Sequence, residues 1–381
     1  MSTAPYICSQ IERGMGKNIF KSLLTLAFSI FVAAACIVPA HAQDKGQIDT
    51  ANVPKGKEKL IEGDFDVTET ILEHISDGYG WHLWGRTKLP LPVILHTDKG
   101  FEVFSSAHLE DEATLEPVVY QGNYPYKIIT GKIKIVDANG NIDEANTSKI
   151  LNLSITKNVA SMLLSMALLL LIFMSVARAY KKTGTTSAPK GLQSFLEPLI
   201  LFIRDKIAKA YLGHRYLAFM PFLLTVFFFI LINNLLGLIP FFPGSANLTG
   251  NIAFTFTLAV FTFIVVNINS KSYYWKHILW MPGLPVLMKI FLAPIELLGI
   301  FTKPISLMIR LFANMTAGHI LVLSLICLIF IFKAVATSVV AVPFAVFISA
   351  IELLVAFLQA YIFTMLSALY IGMAIKEDHH H

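Results

Sequence analysis

The chain has 381 residues, of which 55% are hydrophobic and only 14% charged, and its mean hydropathy is +0.64. Soluble domains average about 25% charged residues, so this composition excludes that class and indicates an integral membrane protein. The net charge of +5 comes largely from lysines and arginines clustered in loops, and no nucleic-acid partner is implied.

Residues 15–42 read as a secretory signal. Lys17 and Lys21 form a basic start, SLLTLAFSIFVAAACIVP is the apolar centre, and Ala40-His41-Ala42 is a small-residue cleavage site. Residues 1–14 then lie ahead of a start at Met15, and the mature chain begins near Gln43. Two alternatives fit less well: Ala35-Cys36 as a lipoprotein site lacks the usual leucine, and an uncleaved membrane helix sits badly with polar residues after Ala42. Of the three cysteines, Cys8 and Cys36 fall in this segment and Cys327 in an apolar helix, so neither a disulfide framework nor a metal-type spacing arises.

Residues 43–150 are expected to form a small β-rich domain outside the cytoplasm. LPVILH, FEVFSS, PVVYQ, YKIIT and KIKIV are short strand-like runs, and Asp137-Ala138-Asn139-Gly140-Asn141 is a turn signal. His74, His82 and His96, with Glu73 and Asp77, match no standard ligand spacing and read as surface residues. Trp81 and Trp84 are expected to pack a core or meet the membrane interface.

Residues 151–375 read as the membrane domain and 376–381 as a cytoplasmic tail. Val159–Ala177, Tyr216–Ile239 and Ile252–Ile268 are long enough to cross. Between the first two, LQSFLEPLILFIRDKIAKAYL is amphipathic and suits a surface helix. Basic loops (Arg178 to Arg215; Lys271, Lys276 and Lys289) alternate with uncharged ones, which puts the N-terminus outside and the C-terminus inside. Phe291–Phe332 and Val342–Ile375 as single helices would be about 60 Å and 50 Å long, against a hydrocarbon core of about 30 Å, so they must tilt, bend or break. Pro294, Pro304 and Pro343 are candidate bend points. The fold class expected is a polytopic α-helical membrane protein with about five membrane helices, the last two long and strongly tilted, plus the amphipathic helix and the β-rich domain.

KPISLMIRLFANMTAGH, residues 303–319, sets an arginine inside a lipid-compatible helix. Arg310 keeps its charge, which at membrane depth costs at least a few kcal/mol and marks a functional site. Glu296, Lys303 and Arg310 recur every seven residues and so lie within roughly 40° of one another, with Ser306 and Asn314 close to that line. His319 points the opposite way. On the last helix, Glu352 and Gln359 share a face, with Tyr370 within roughly 80° of it. Asn233 and Asn234 on the second span could wet a channel or make capping or helix–helix hydrogen bonds.

PISLMIRLFANMTAGH, followed by Glu352 and LQAYIF, resembles subunit a of the F-type ATP synthases, the stator that carries ions past a rotating ring of c subunits. The resemblance covers roughly residues 150–375 and does not reach 1–145. It implies a bacterial inner-membrane protein with two offset aqueous half-channels and an essential arginine, Arg310, next to Gln359 and facing the ring carboxylate. It also implies a tilted final helix hairpin, a subunit b peripheral stalk as partner with the rest of the synthase, and no cofactor or metal of its own. Protons would enter past His319, Glu352 and Asn314 and leave near Glu296, Lys303 and Ser306, with Asn233, Asn234 and Tyr370 as secondary candidates. In many relatives the acid and the histidine of the entry pair stand in exchanged positions.

The chain has no glycine-rich phosphate loop, so ATP chemistry would sit on partner subunits. A secondary transporter would require internal repeats that are not visible here. A membrane-anchored receptor would leave Arg310 unexplained.

Overall fold

The computed structural model describes residues 71, 76–84, 87–111, 117–129, 131–137, 140–183, 188–239, 244, 246–281, 285–332 and 335–375. The signal sequence, Glu73, His74 and the tail lie outside the described residues.

Strands fill the front of the described chain. A hairpin, β1 (Gly80–Trp84) and β2 (Thr87–Pro90), is followed by β3 (Pro92–Thr97), β4 (Gly100–Ser105), β5 (Tyr120–Gln121), β6 (Pro125–Ile129), β7 (Lys132–Ile135) and β8 (Leu151–Asn152). They form one two-stranded and two three-stranded antiparallel sheets, in the orders β4-β3-β8 and β5-β6-β7. Alternation drives this: Val93 and Leu95 face inward at 0% exposure while Ile94 and His96 face outward. Tyr126, Leu109 and Ile135 complete the core. The expected turn after Ile135 is present, with Gly140 at φ 81°, where a side chain would be strained. The β1–β2 hairpin was not anticipated from the tryptophans; Trp81 is buried, as expected of a packing residue.

β8 runs almost directly into the first long helix, α1 (Lys157–Thr183). Asp77 Oδ1 accepts hydrogen bonds from the Gly78 and Asn158 N–H groups, each at 3.0 Å, and so caps a helix that begins eighty residues later. Burial pushes the Asp77 carboxyl above its ordinary range, against the pull of these bonds. The neighbouring Tyr79 phenol, which accepts from Asn152 Nδ2 at 2.7 Å, is pushed up to about 12 by burial.

The amphipathic segment forms α2 (Leu192–Phe202), a π-helical stretch over Ile203–Ala208 and a last helical turn to Leu212. It does not merely rest on a surface: Ile203 and Ile207 are fully buried, packed against the long helices. Gly213, at φ 54°, lets the chain turn into α3 (Tyr216–Leu238). Then come α4 (Ile252–Ile268), α5 (Ser272–Leu279), α6 (Val286–Phe332) and α7 (Val335–Ile375). Among the described residues, four helical stretches are long and apolar enough to cross a membrane, and α4 is a shorter apolar helix.

α6 and α7 contain 47 and 41 residues, or about 70 Å and 60 Å of helix. Both run through their prolines as continuous helices, so of the three expected outcomes breaking is excluded. Their outer faces are apolar and open: Leu287, Phe291 and Leu298 on α6 and Val340, Val346 and Leu354 on α7 are each at least 60% exposed. A surface this apolar suits lipid or a partner subunit, not water.

The β module, the α3–α4 loop and the His319 end of α6 lie at one end of the bundle, tied by the Trp81–Gly244 and Thr316–Gly250 hydrogen bonds. The α4–α5 connection and the end of α7 lie at the other, tied by Lys271 N–H to the Ala374 carbonyl at 3.0 Å.

Asn234 Nδ2 donates across to the Ala356 carbonyl of α7 at 3.0 Å, whereas Asn233 Nδ2 bonds back to Phe229 of its own helix at 2.7 Å. Asn234→Leu is expected to lower the stability of the chain by about 1 kcal/mol, the typical worth of such a bond in a membrane. Thermal unfolding of the purified protein checks it.

Candidate functional site

Arg310 sits midway along α6, between Leu307 and Leu311, which are 2% and 1% exposed. Those leucines and Met315 form the i, i+4, i+8 stripe that α6 buries, so Arg310 lies at the edge of the packed seam and is only partly exposed. Ser306 and Asn314 are exposed on the adjoining open face. On α7, Gln359 is 4% exposed, with Ala356, Ala360 and Phe363 of the same helix also buried. Ala356 there accepts the Asn234 hydrogen bond from α3.

Polar groups gather on either side of Arg310 along the helix. Toward the module, His319 Nδ1 lies 3.9 Å from Glu352 Oε1, with the side chains 18% and 13% exposed. That gap is too long for a direct hydrogen bond and suits one bridging water. Gly318 makes the approach feasible: a methyl there would overlap the Glu352 carboxylate. Nothing in the sequence reading singled out Gly318, although an isolated glycine inside a strongly helical pattern is the available signal. Thr316 was also missed; its hydroxyl donates to the Gly250 carbonyl at 3.3 Å and fastens the α3–α4 loop to α6.

On the other side, Lys303 Nζ lies 5.5 Å from the centre of the Tyr370 ring. Glu296 is within electrostatic reach of both Lys303 and Tyr274, and Arg310 of Tyr370. Lys303, Tyr370 and Tyr274 line a cavity of about 20 Å³ together with Thr262 and Asn267 of α4, which is room for one water. Asn267 Oδ1 is buried there without a protein partner among the described residues. Neither Asn267 nor Tyr274 is evident in the sequence, because their place depends on how α4 and α5 pack.

Of the other polar residues on α7, Ser367 and Thr364 are fully buried and bond to carbonyls of their own helix at 2.8 Å. His96 of the module stacks on Phe101 with ring centres 4.3 Å apart. Its neighbour in sequence expectation, His82, lies on β1.

The sequence profile of the ATP synthase A chain family matches residues 159–372, which includes every helix and side chain just described around Arg310. The chain belongs to that family. Within it, ATP synthase subunit a of Chloroherpeton thalassium is 50% identical over 234 residues, covering 60% of this chain and 69% of the relative. Subunit a 2 of Chlorobaculum tepidum is 48% identical, covering 60% and 66%, and subunit a of Myxococcus xanthus 44% identical, covering 61% and 76%. The chain thus spans about two thirds to three quarters of these relatives. Residues 70–153, the β module, match a second profile, a domain of unknown function (DUF8433).

Proposed function

We propose that this chain is the non-catalytic, proton-conducting stator subunit of an F-type ATP synthase, working against a ring of c subunits and held by a subunit b stalk. The observation that carries the reading is the axial order on α6. His319 with Glu352 stands about 13 Å to one side of Arg310 and Lys303 about 10 Å to the other. Two polar clusters separated by one fixed positive charge suit two half-channels that open to opposite sides and never join.

A ring carboxylate coming from lipid is protonated, because burial disfavours its charge; beside the guanidinium its ionised form is favoured and the proton leaves. Protons enter past Asn314, His319 and Glu352, ride the ring, and exit by Ser306, Lys303, Glu296 and the Tyr370 cavity. Gln359, buried on α7, is assigned the role of orienting Arg310. The charge also blocks a direct leak, which would dissipate about 2.3 kcal/mol per proton per 100 mV. The long open faces of α6 and α7 fit the ring and lipid of a bacterial inner membrane. In this orientation the β module, delivered by the signal sequence, stands outside and the tail inside.

Purification of the intact chain from its own membrane in mild detergent is expected to bring down a ring of small hairpin proteins, each with a carboxylate at mid-membrane. A chain that purifies alone and still moves protons in vesicles would overturn the assignment.

A further inference from the structure

We infer that the β module is a clamp on the mouth of the outer half-channel, holding in place the loop that roofs His319. This rests on the half-channel reading and assigns a role to a module that the motor's own chemistry leaves unexplained.

The module grips the bundle at two points. At the first, Asp77 caps α1 and the Lys157 N–H donates to the Gly78 carbonyl at 2.8 Å, so β8, β3 and the start of α1 form one unit. At the second, three residues beyond Gly78, the Trp81 indole donates Nε1–H to the Gly244 carbonyl at 2.8 Å, across 163 residues of chain. Trp81 is only 3% exposed. A buried carbonyl with a matched donor holds its loop in one place, and the indole is rigid and donor-only.

The described residues of the loop held this way are largely buried, unlike most connections. Ala246 and Thr249 are each 1% exposed and Leu248 4%. Asn247 Oδ1 accepts from the Gly250 N–H at 2.9 Å, and Thr316 holds the Gly250 carbonyl from α6. The loop and the imidazole flank the same glycine. A methyl placed on Gly237, at the end of α3, would lie 3.6 Å from the Ala246 carbonyl, 3.9 Å from His319 Nε2 and 4.0 Å from Asn247 Cα. α3, the loop and His319 therefore converge on one point. Thr249 Oγ1 is buried with no protein partner among the described residues, so the loop offers a polar group to water in the same region. Trp81 thus holds Gly244, and the described loop residues Ala246 and Asn247 lie beside the glycine that His319 also approaches.

The test uses the assembled synthase in membranes and a small water-soluble thiol reagent added from the module's side. Thr249→Cys reports on the roof, and Asn267→Cys, at the far cavity, controls for general loosening. Adding Trp81→Phe, which keeps an aromatic ring and removes the donor, is expected to raise labelling at position 249 about tenfold, equivalent to roughly 1.4 kcal/mol of lost loop closure. Labelling at 267 is expected to stay unchanged. If Trp81→Phe prevents assembly, replacing the indole with its sulfur isostere, benzothienylalanine, removes the same donor at constant shape. Unchanged labelling at 249, or an equal rise at both positions, overturns the clamp. Pumping by Arg310→Ala is a separate arm: wild-type pumping there removes the half-channel reading, whatever the labelling shows.

Discussion

Arg310→Ala is expected to abolish ATP-driven proton pumping while the complex still assembles. Two unit charges about 4 Å apart at an effective dielectric near 20 interact by about 4 kcal/mol. Without that attraction, release of the proton from a ring carboxylate slows by roughly a thousandfold. The loss is one of chemistry, since Arg310 stands at the edge of the seam and the packing stripe of Leu307, Leu311 and Met315 remains. Arg310→Lys should rescue little. A lysine keeps a point charge but lacks the planar fork that Gln359 can orient, and a desolvated lysine sheds its proton where a guanidinium does not. The measurement is dye-quenching in inverted vesicles with ATP hydrolysis followed in parallel. Undiminished pumping by the alanine variant would remove the stator assignment.

How much of this was legible beforehand follows from the range of each contact. Helical period alone placed Glu296, Lys303 and Arg310 on one line and set His319 apart from it, and the structure puts His319 against Glu352 of α7. Hydropathy located α4 at Ile252–Ile268 without error and α3 to within a residue. Contacts set by packing between distant segments were not legible. Trp81 could be expected to bury, but nothing local names Gly244 as its acceptor. The segment from Leu192 to Leu212 looks like a surface helix by its charges, yet its fully buried Ile203 and Ile207 show that the bundle takes up its apolar face. Prolines inside α6 and α7 suggested possible breaks because soluble helices stop at proline, whereas both helices here run on.

The second large effect concerns the pair on the module's side of Arg310. His319→Ala and Glu352→Ala are each expected to cut the pumping rate by about a hundredfold, the low end of what a positioned proton donor or acceptor contributes. The double alanine variant should lose little more than either single one, because two groups 3.9 Å apart are placed to act on the same proton, and losses within such a unit do not add. The exchanged variant, His319→Glu with Glu352→His, puts an acid and an imidazole back in the same space and is expected to recover most of the rate. Gly318 decides how well: the vacant Cβ position beside it accommodates the Glu352 carboxylate, and a flat imidazole must fit there instead. Initial pumping rates of the four variants and the wild type form a complete cycle. Additive losses from the two single changes would mean that His319 and Glu352 serve independent steps, and the outer path would then have to be drawn through only one of them.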